Sequence, residues 1–189
     1  MTDAPRITIR SRPELRAWLS ENHGASGSVW CVTFKKHHPD YLEFGQVVEE
    51  LMCWGWVDSS VRGVDSDSMM HLISPRKETS AWSAVNKDIV ARMRASGEMT
   101  EAGEAKIAAA MANGMWTFLD DVERLERPED LDAALGPETL AVWDAYPRSV
   151  KRGSLEWIKQ AKTAPTRAKR IAEVLAACEE GRRPKPFAR

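Results

Sequence analysis

The chain reads as an α+β protein: a small sheet packed with helices in the N-terminal part, followed by an all-helical C-terminal module. Three observations predict this. Strand-type runs recur up to Ile73, interleaved with apolar residues at helical spacing. From about Leu119 onward strand signals vanish, and Pro128, Pro137 and Pro165 each sit near an expected helix start. The charge balance also changes along the chain. These divide it into an α+β segment, 1–118, and a helical module, 119–189, either as two domains or as one compact body.

Taken in order, Ile7 to Ile9 alternates with polar residues and predicts a short strand. Ser11 and Glu14 have capping-box spacing with Pro13 in the first turn, and Leu15, Trp18 and Leu19 follow at helical spacing until Gly24. Val29 to Phe34 is a strand by composition, with Trp30, Val32 and Phe34 on one face. Asp40 and Glu43 repeat the capping-box spacing. Phe44, Val47, Val48 and Leu51 then mark the apolar face of a helix whose Glu49 and Glu50 are expected in solvent. Trp54 to Val61 and Ser68 to Ile73 predict two further strands, with Trp54 and Trp56 on one face and a turn at Gly63, Asp65 and Asp67. Ser83 is the expected N-cap of a helix bearing Val85, Ile89 and Met93 and ending at Gly97. Another helix is expected from about Thr100 to Ala112, stopping at Gly114.

Beyond Leu119, apolar sets centred on Leu131 and Leu135, Leu140 and Trp143, Leu155 and Ile158, then Ile171, Leu175 and Cys178 predict three or four short helices. Gly136 and Gly181 stand near expected helix ends, and the tail after Gly181 is expected to be loose.

Composition excludes several classes. The 189 residues are 43% hydrophobic and 29% charged, and no apolar stretch is long enough for a membrane span. Residues 1–10 lack the apolar core of a secretory signal. Three widely spaced cysteines (Cys31, Cys53, Cys178) suit a reducing compartment, so a cytoplasmic location is expected. The net charge of −1 hides a segregation: residues 1–95 carry 12 basic and 12 acidic side chains, 96–146 carry 3 and 12, and 147–189 carry 12 and 4. Either acidic and basic elements meet within the molecule or a basic face awaits an anionic partner.

The usual catalytic signatures are absent. No nucleophile elbow occurs, since Gly24-Ala25-Ser26-Gly27 has the wrong spacing and reads as a turn. No Walker loop or dinucleotide glycine fingerprint occurs either, so no cofactor is expected. Asp65-x-Asp67 begins like a calcium loop, but Met69 takes the third ligand position. His37 and His38 are adjacent, so they point to different sides, and no metal site is expected. His23 reads as a dipole partner at a helix C-terminus. The richest stretch runs from His71 to Lys87. There Arg76, Lys77 and Lys87 supply positive charge, and Ser80, Ser83 and Asn86 supply neutral hydrogen-bonding groups around Trp82. A helix start at Ser83 with nearby cations suits an anion; alternatively Pro75 stiffens the loop and Ser83 and Asn86 bond to the backbone.

At these residues the chain resembles a known family. Gly55-Trp56-Val57-Asp58-Ser59, Ser74-Pro75-Arg76-Lys77, Ser80-Ala81-Trp82-Ser83, Asn86-Lys87 and Gly97-Glu98-Met99-Thr100-Glu101-Ala102-Gly103 are similar to the bacterial YdeI/OmpD-associated (OmdA, bacteriocin-protection) family. Trp157 to Lys162 and Thr166 to Ile171 resemble its helical module. The resemblance implies a cytoplasmic protein associated with envelope-stress phenotypes, without an established catalytic activity.

Three functions are therefore weighed. In the first, Asp58, Arg76, Lys77, Ser80, Trp82, Ser83, Asn86 and Lys87 bind a small anionic ligand, with Asp58 orienting Arg76. In the second, Lys159, Lys162, Arg167, Lys169 and Arg170 dock nucleic acid or an acidic protein. In the third, Asp58 and His71 form an acid–base pair across neighbouring strands.

Overall fold

The computed structural model describes residues 4–24 and 27–188. Ala25 and Ser26, in the turn expected after the first helix, lie outside the described residues. The chain divides into two units, Met1–Phe118 and Leu119–Arg189. The first is α+β and the second is helical among the described residues.

In the first unit the elements run β1 (Arg6–Thr8), α1 (Arg12–Asn22), β2 (Val29–Phe34), α2 (Phe44–Cys53), β3 (Trp56–Gly63), β4 (Ser68–Pro75), α3 (Ala84–Ala95) and α4 (Glu101–Ala112). The strands form one mixed sheet in the order β1-β2-β4-β3, with only β1 and β2 parallel. The side-chain alternation of β2 sorts the faces. Val29 and Cys31 join Leu15, Leu19, Val47, Leu51, Trp56 and Ile73 in the principal core under α1 and α2, while Trp30 and Val32 pack with Met70 on the opposite face. A second cluster, built on Met52, Cys53, Trp82, Ile89, Val90, Met93 and Ile107, joins α2 to α3 and α4.

Several local expectations are corrected. Ser11 caps α1 by accepting the Glu14 N–H, but the Glu14 carboxylate reaches the N–H of Arg10. Asp40 does not cap α2, which starts at Glu43 without a side-chain bond; Asp40 instead pairs with Arg10 at 3.7 Å. Trp54 is no strand residue: it caps the C-terminus of α2, and Gly55 at φ 70° turns the chain into β3. Val85 is exposed rather than part of the α3 core face.

The largest correction concerns Glu50, which is fully buried. Its carboxylate accepts from Arg12 Nε at 3.0 Å, Arg16 Nη1 at 2.8 Å and Trp54 Nε1 at 3.0 Å. Glu49 lies beside it, pairing with Arg12 and Arg92. Together they tie α1, α2 and α3.

In the second unit, α5 (Asp120–Glu123), α6 (Glu129–Ala134), α7 (Pro137–Ala145), α8 (Arg148–Lys159) and α9 (Ala164–Glu179) precede a 3-10 turn at Lys185–Phe187. The apolar sets correspond to α6, α7, α8 and α9, and the module has one helix more because α5, four residues long, is too short to show a period. Gly136 lies directly after the C-cap of α6 and is at the same time the N-cap of α7, and Gly181, at φ 64°, follows the end of α9. Leu131, Trp143, Val150, Leu155, Ile158, Val174 and Ala177 form the interior. The segment after Gly181 folds back. Arg182 pairs with Glu173 at 2.8 Å, Tyr146 donates its hydroxyl to the Arg182 carbonyl, and the Phe187 ring lies where a Gly153 Cβ would come within 2.6 Å of it.

The charge segregation resolves largely inside this unit. Lys159 meets Asp121 at 2.6 Å, Arg152 meets Glu123 at 2.7 Å, and Arg167 grips both oxygens of Asp130 at 2.6 and 2.8 Å.

All three cysteines are buried and free. Burial pushes the Cys31 thiol up to about 12 and the Cys53 thiol up to about 11, suppressing the reactive thiolate. The folded protein at pH 8 is expected to react with Ellman's reagent only on the timescale of unfolding, and with all three thiols once denatured. A thiol titrating within seconds in native buffer would contradict this burial.

Candidate functional site

The site is built on the place where β4 ends. Trp56 pairs with Pro75, and the next N–H, of Arg76, donates to the Gly55 carbonyl at 2.9 Å. Pro75 has no N–H to continue the ladder, so the chain leaves the sheet as a strap over residues 76–83. The strap is pinned at both ends. Ser80 N–H donates to Lys77 O, Asn113 Nδ2 donates to Glu78 O, and Trp82 N–H donates to Met115 O.

Arg76 turns inward beneath this strap and is only 4% exposed. Its Nη2 donates to Ala81 O at 2.6 Å and to Asn86 Oδ1 at 3.3 Å, and its guanidinium carbon lies 3.9 Å from the centre of the buried Trp82 ring. Nε and Nη1 are buried with no hydrogen-bond partner. No carboxylate forms an ion pair with it among the described residues. Burial lowers its pKa to about 10, which leaves it a cation at neutral pH. A buried cation without a counter-charge is costly, and its field is less screened than that of a surface lysine.

Of the other residues singled out, Trp82, Ser83, Asn86 and Lys87 gather around Arg76 or beside it. Ser83 and Asn86 form a reciprocal capping box, Ser83 Oγ accepting from Asn86 N–H and Asn86 Oδ1 accepting from Ser83 N–H. The first turn of α3 is thus capped by its own side chains rather than held open for an anion. Lys87 lies 5.4 Å from the centre of the Trp116 ring, which packs on Trp82. Lys77 and Ser80 face elsewhere: with Ser28, Ser59, Ser74 and Leu72 they line a groove of about 540 Å³. Arg76 sits between two residues of its wall, Pro75 and Lys77.

Asp58 does not orient Arg76. It stands opposite Ile73 in the β3–β4 register, so it belongs to the helix-covered face and interacts with His71 through charge alone. The expected acid–base pair is also not formed. His71 stacks on Phe44 at 3.9 Å, its Nε2 is buried without a partner, and no hydrogen bond joins it to Asp58. Burial lowers the His71 pKa, the Asp58 charge opposing it in part. His71 also stands opposite Cys31 across the sheet, but that thiol is held protonated by burial.

The remaining candidates are engaged locally. His37 Nε2 lies 3.0 Å from Asp67, and Asp65 Oδ1 accepts from Asp67 N–H and from both donors of Ser68 to close the β3–β4 turn. Among the described residues no cluster of three or more His, Cys, Asp or Glu side chains is arranged to hold a metal ion. His23 donates to Leu19 O at the end of α1. In the helical unit, Lys159 and Arg167 are committed to Asp121 and Asp130, and Arg170 packs on Trp157, while Lys162 and Lys169 are exposed. A small cleft there, about 130 Å³ beside Leu155 and Ile158, has these already paired groups in its wall.

Sequence reasoning did not place Gly55, Trp116, Ser28 or Ser59 at the site, although Gly55 and Ser59 stand in a motif it singled out. Only Gly55 carried a local signal, a glycine between two tryptophans where the chain must take a positive φ.

No curated protein and no solved structure matches the chain. Among the described residues no helix is long and apolar enough to cross a membrane. Residues 7–106, which contain the whole of the Ser74–Lys87 stretch, match a domain of unknown function, DUF8412. Residues 124–181, which contain the Trp157–Lys162 and Thr166–Ile171 motifs, match the family described as bacteriocin-protection, YdeI or OmpD-associated. The chain belongs to the DUF8412 family, whose match spans more than half of it, and its helical unit is similar to the family described as bacteriocin-protection, YdeI or OmpD-associated.

Proposed function

We propose that the chain is a binding module that recognises a small anionic ligand at the Ser74–Lys87 loop. The observation that carries this reading is Arg76: a buried guanidinium with no carboxylate partner among the described residues and two nitrogens without acceptors, in a chain segment whose neighbours Pro75 and Lys77 line an open groove. A positive charge so placed attracts an anion to the groove, where Lys77 supplies a second, exposed cation. Buried and free thiols support a cytoplasmic setting. The alternative, docking of nucleic acid or an acidic protein by the C-terminal helices, draws less support, because two of the five cations assigned to it already hold aspartates.

The test is thermal denaturation in inorganic phosphate against chloride of matched ionic strength. Phosphate at about 100 times its Kd is expected to add about 2.7 kcal/mol to the wild-type protein. Arg76→Met is expected to lose that response. Its stability without phosphate should stay within about 1 kcal/mol of wild type, since relief of the desolvated charge offsets the lost hydrogen bonds. An unresponsive wild type, or a full response in Arg76→Met, would overturn the reading.

A further inference from the structure

The groove beside Arg76 is larger and more specific in its chemistry than an inorganic anion requires. It lies on the sheet face opposite the principal core, where Val57 and Leu72 give an apolar floor and Ser28, Ser59, Ser74 and Ser80 surround it. Ser59 donates its hydroxyl to Leu72 O at 3.2 Å, which leaves its oxygen free to accept. The hydroxyls of Ser28, Ser74 and Ser80 make no hydrogen bond to the protein among the described residues. Lys77, also in the lining, has no ion pair among the described residues.

We propose that the ligand of this groove is a phosphorylated polyol: a phosphate monoester on a short, hydroxylated carbon skeleton. The inference rests on the anion-binding reading above and names the ligand class. The phosphate is set at Lys77, and the hydroxyls of the ligand meet the serines. Hydroxyls that both donate and accept match a polyol without fixing the direction of each bond. The apolar floor receives the C–H face of the skeleton. At about 540 Å³ the groove falls in the range of small-molecule sites, whereas a bare phosphate would engage the lysine and leave the serines unused. Two absences in the described lining narrow the class further. No aromatic side chain is present to stack a nucleobase, which sets nucleotides apart. No acidic side chain is present to bind an amine or a metal-bridged diphosphate, and one rim cation suits a monoester.

Titration calorimetry on the full chain, with ribose 5-phosphate, glycerol 3-phosphate, ribose, inorganic phosphate and adenosine monophosphate as probes, tests this. The phosphorylated polyols should bind at least about tenfold more tightly than inorganic phosphate, a difference of about 1.4 kcal/mol. Ribose alone should bind no more tightly than phosphate. The double variant Ser74→Ala, Ser80→Ala should reduce that preference to less than about threefold, or about 0.7 kcal/mol. Lys77→Ala should weaken all the phosphates alike. Unfolding curves confirm that both variants are folded. Equal affinity for inorganic phosphate and the polyol phosphates would overturn this inference and leave the anion-binding reading standing. Tighter binding of adenosine monophosphate would overturn the ligand class. No binding of any probe would overturn both.

Discussion

Replacing Glu50 by alanine is expected to cost about 3 kcal/mol of folding stability, the low end of the range for breaking a buried ion pair. The carboxylate is fully buried and receives three donors, two of them charged. Its removal leaves Trp54 Nε1 without an acceptor and deprives two guanidinium groups of their shared counter-charge. The cost falls at the low end because Arg12 keeps Glu49 and Glu98, and Arg16, more than a third exposed, regains water. Urea denaturation measures the effect, with an unchanged m-value indicating that the native state is otherwise intact. A loss below about 1 kcal/mol would place Glu50 with ordinary surface carboxylates. Trp54 also shapes the turn into β3, so the variant should weaken the phosphate response as well as the fold.

That Glu50 had to be learned from three dimensions is instructive. On α2 it lies three residues after Val47 and four before Trp54, at the border of the apolar face, and a pattern reading places a charge there outward. What brings it inside is the pair Arg12 and Arg16, four apart on one face of α1 and aimed at it from another element. Local periodicity carries no information about such a partner. The strands β2 and β4, the cap Ser83 and the helix from about Thr100 were legible because their determinants are local: alternation, a hydroxyl before a helical run, a glycine after it. The candidate site divides in the same way. The Arg76, Trp82, Ser83 and Asn86 grouping lies within one short stretch and could be read from it. The groove combines Ser28 before β2, Ser59 on β3 and Ser74 on β4, and only the sheet order brings them together. A pairing of Asp58 with Arg76 depends on strand register, and the register of β3 against β4 sets Asp58 opposite Ile73 instead.

Gly103→Ala is expected to destabilise the protein by about 3 kcal/mol, the upper end of typical overpacking. The sign is opposite to the rule for helix interiors, where alanine gains about 1 kcal/mol over glycine. The reason is where α4 begins. A Cβ at residue 103 would stand 2.3 Å from the Cys53 carbonyl oxygen and 2.9 Å from its carbon, both backbone atoms that cannot step aside alone. That carbonyl ends α2 and is held by the start of α4: it accepts from Thr100 Oγ1 at 2.6 Å and from Thr100 N–H at 3.3 Å, while Thr100 Oγ1 accepts the Gly103 N–H. The tail of one helix is thus seated on the head of another, where the acceptor end of the first meets donors of the second. Forcing them apart moves Cys53, and with it Trp54 and Gly55, whose carbonyl anchors Arg76. The variant should therefore lose stability and phosphate response together, whereas Gly45→Ala, in α2 with open space around its missing Cβ, should lose neither. Urea denaturation and the thermal response to phosphate, run on both variants, check this. A Gly103→Ala protein as stable as wild type would show that α2 and α4 are not seated on each other in this way.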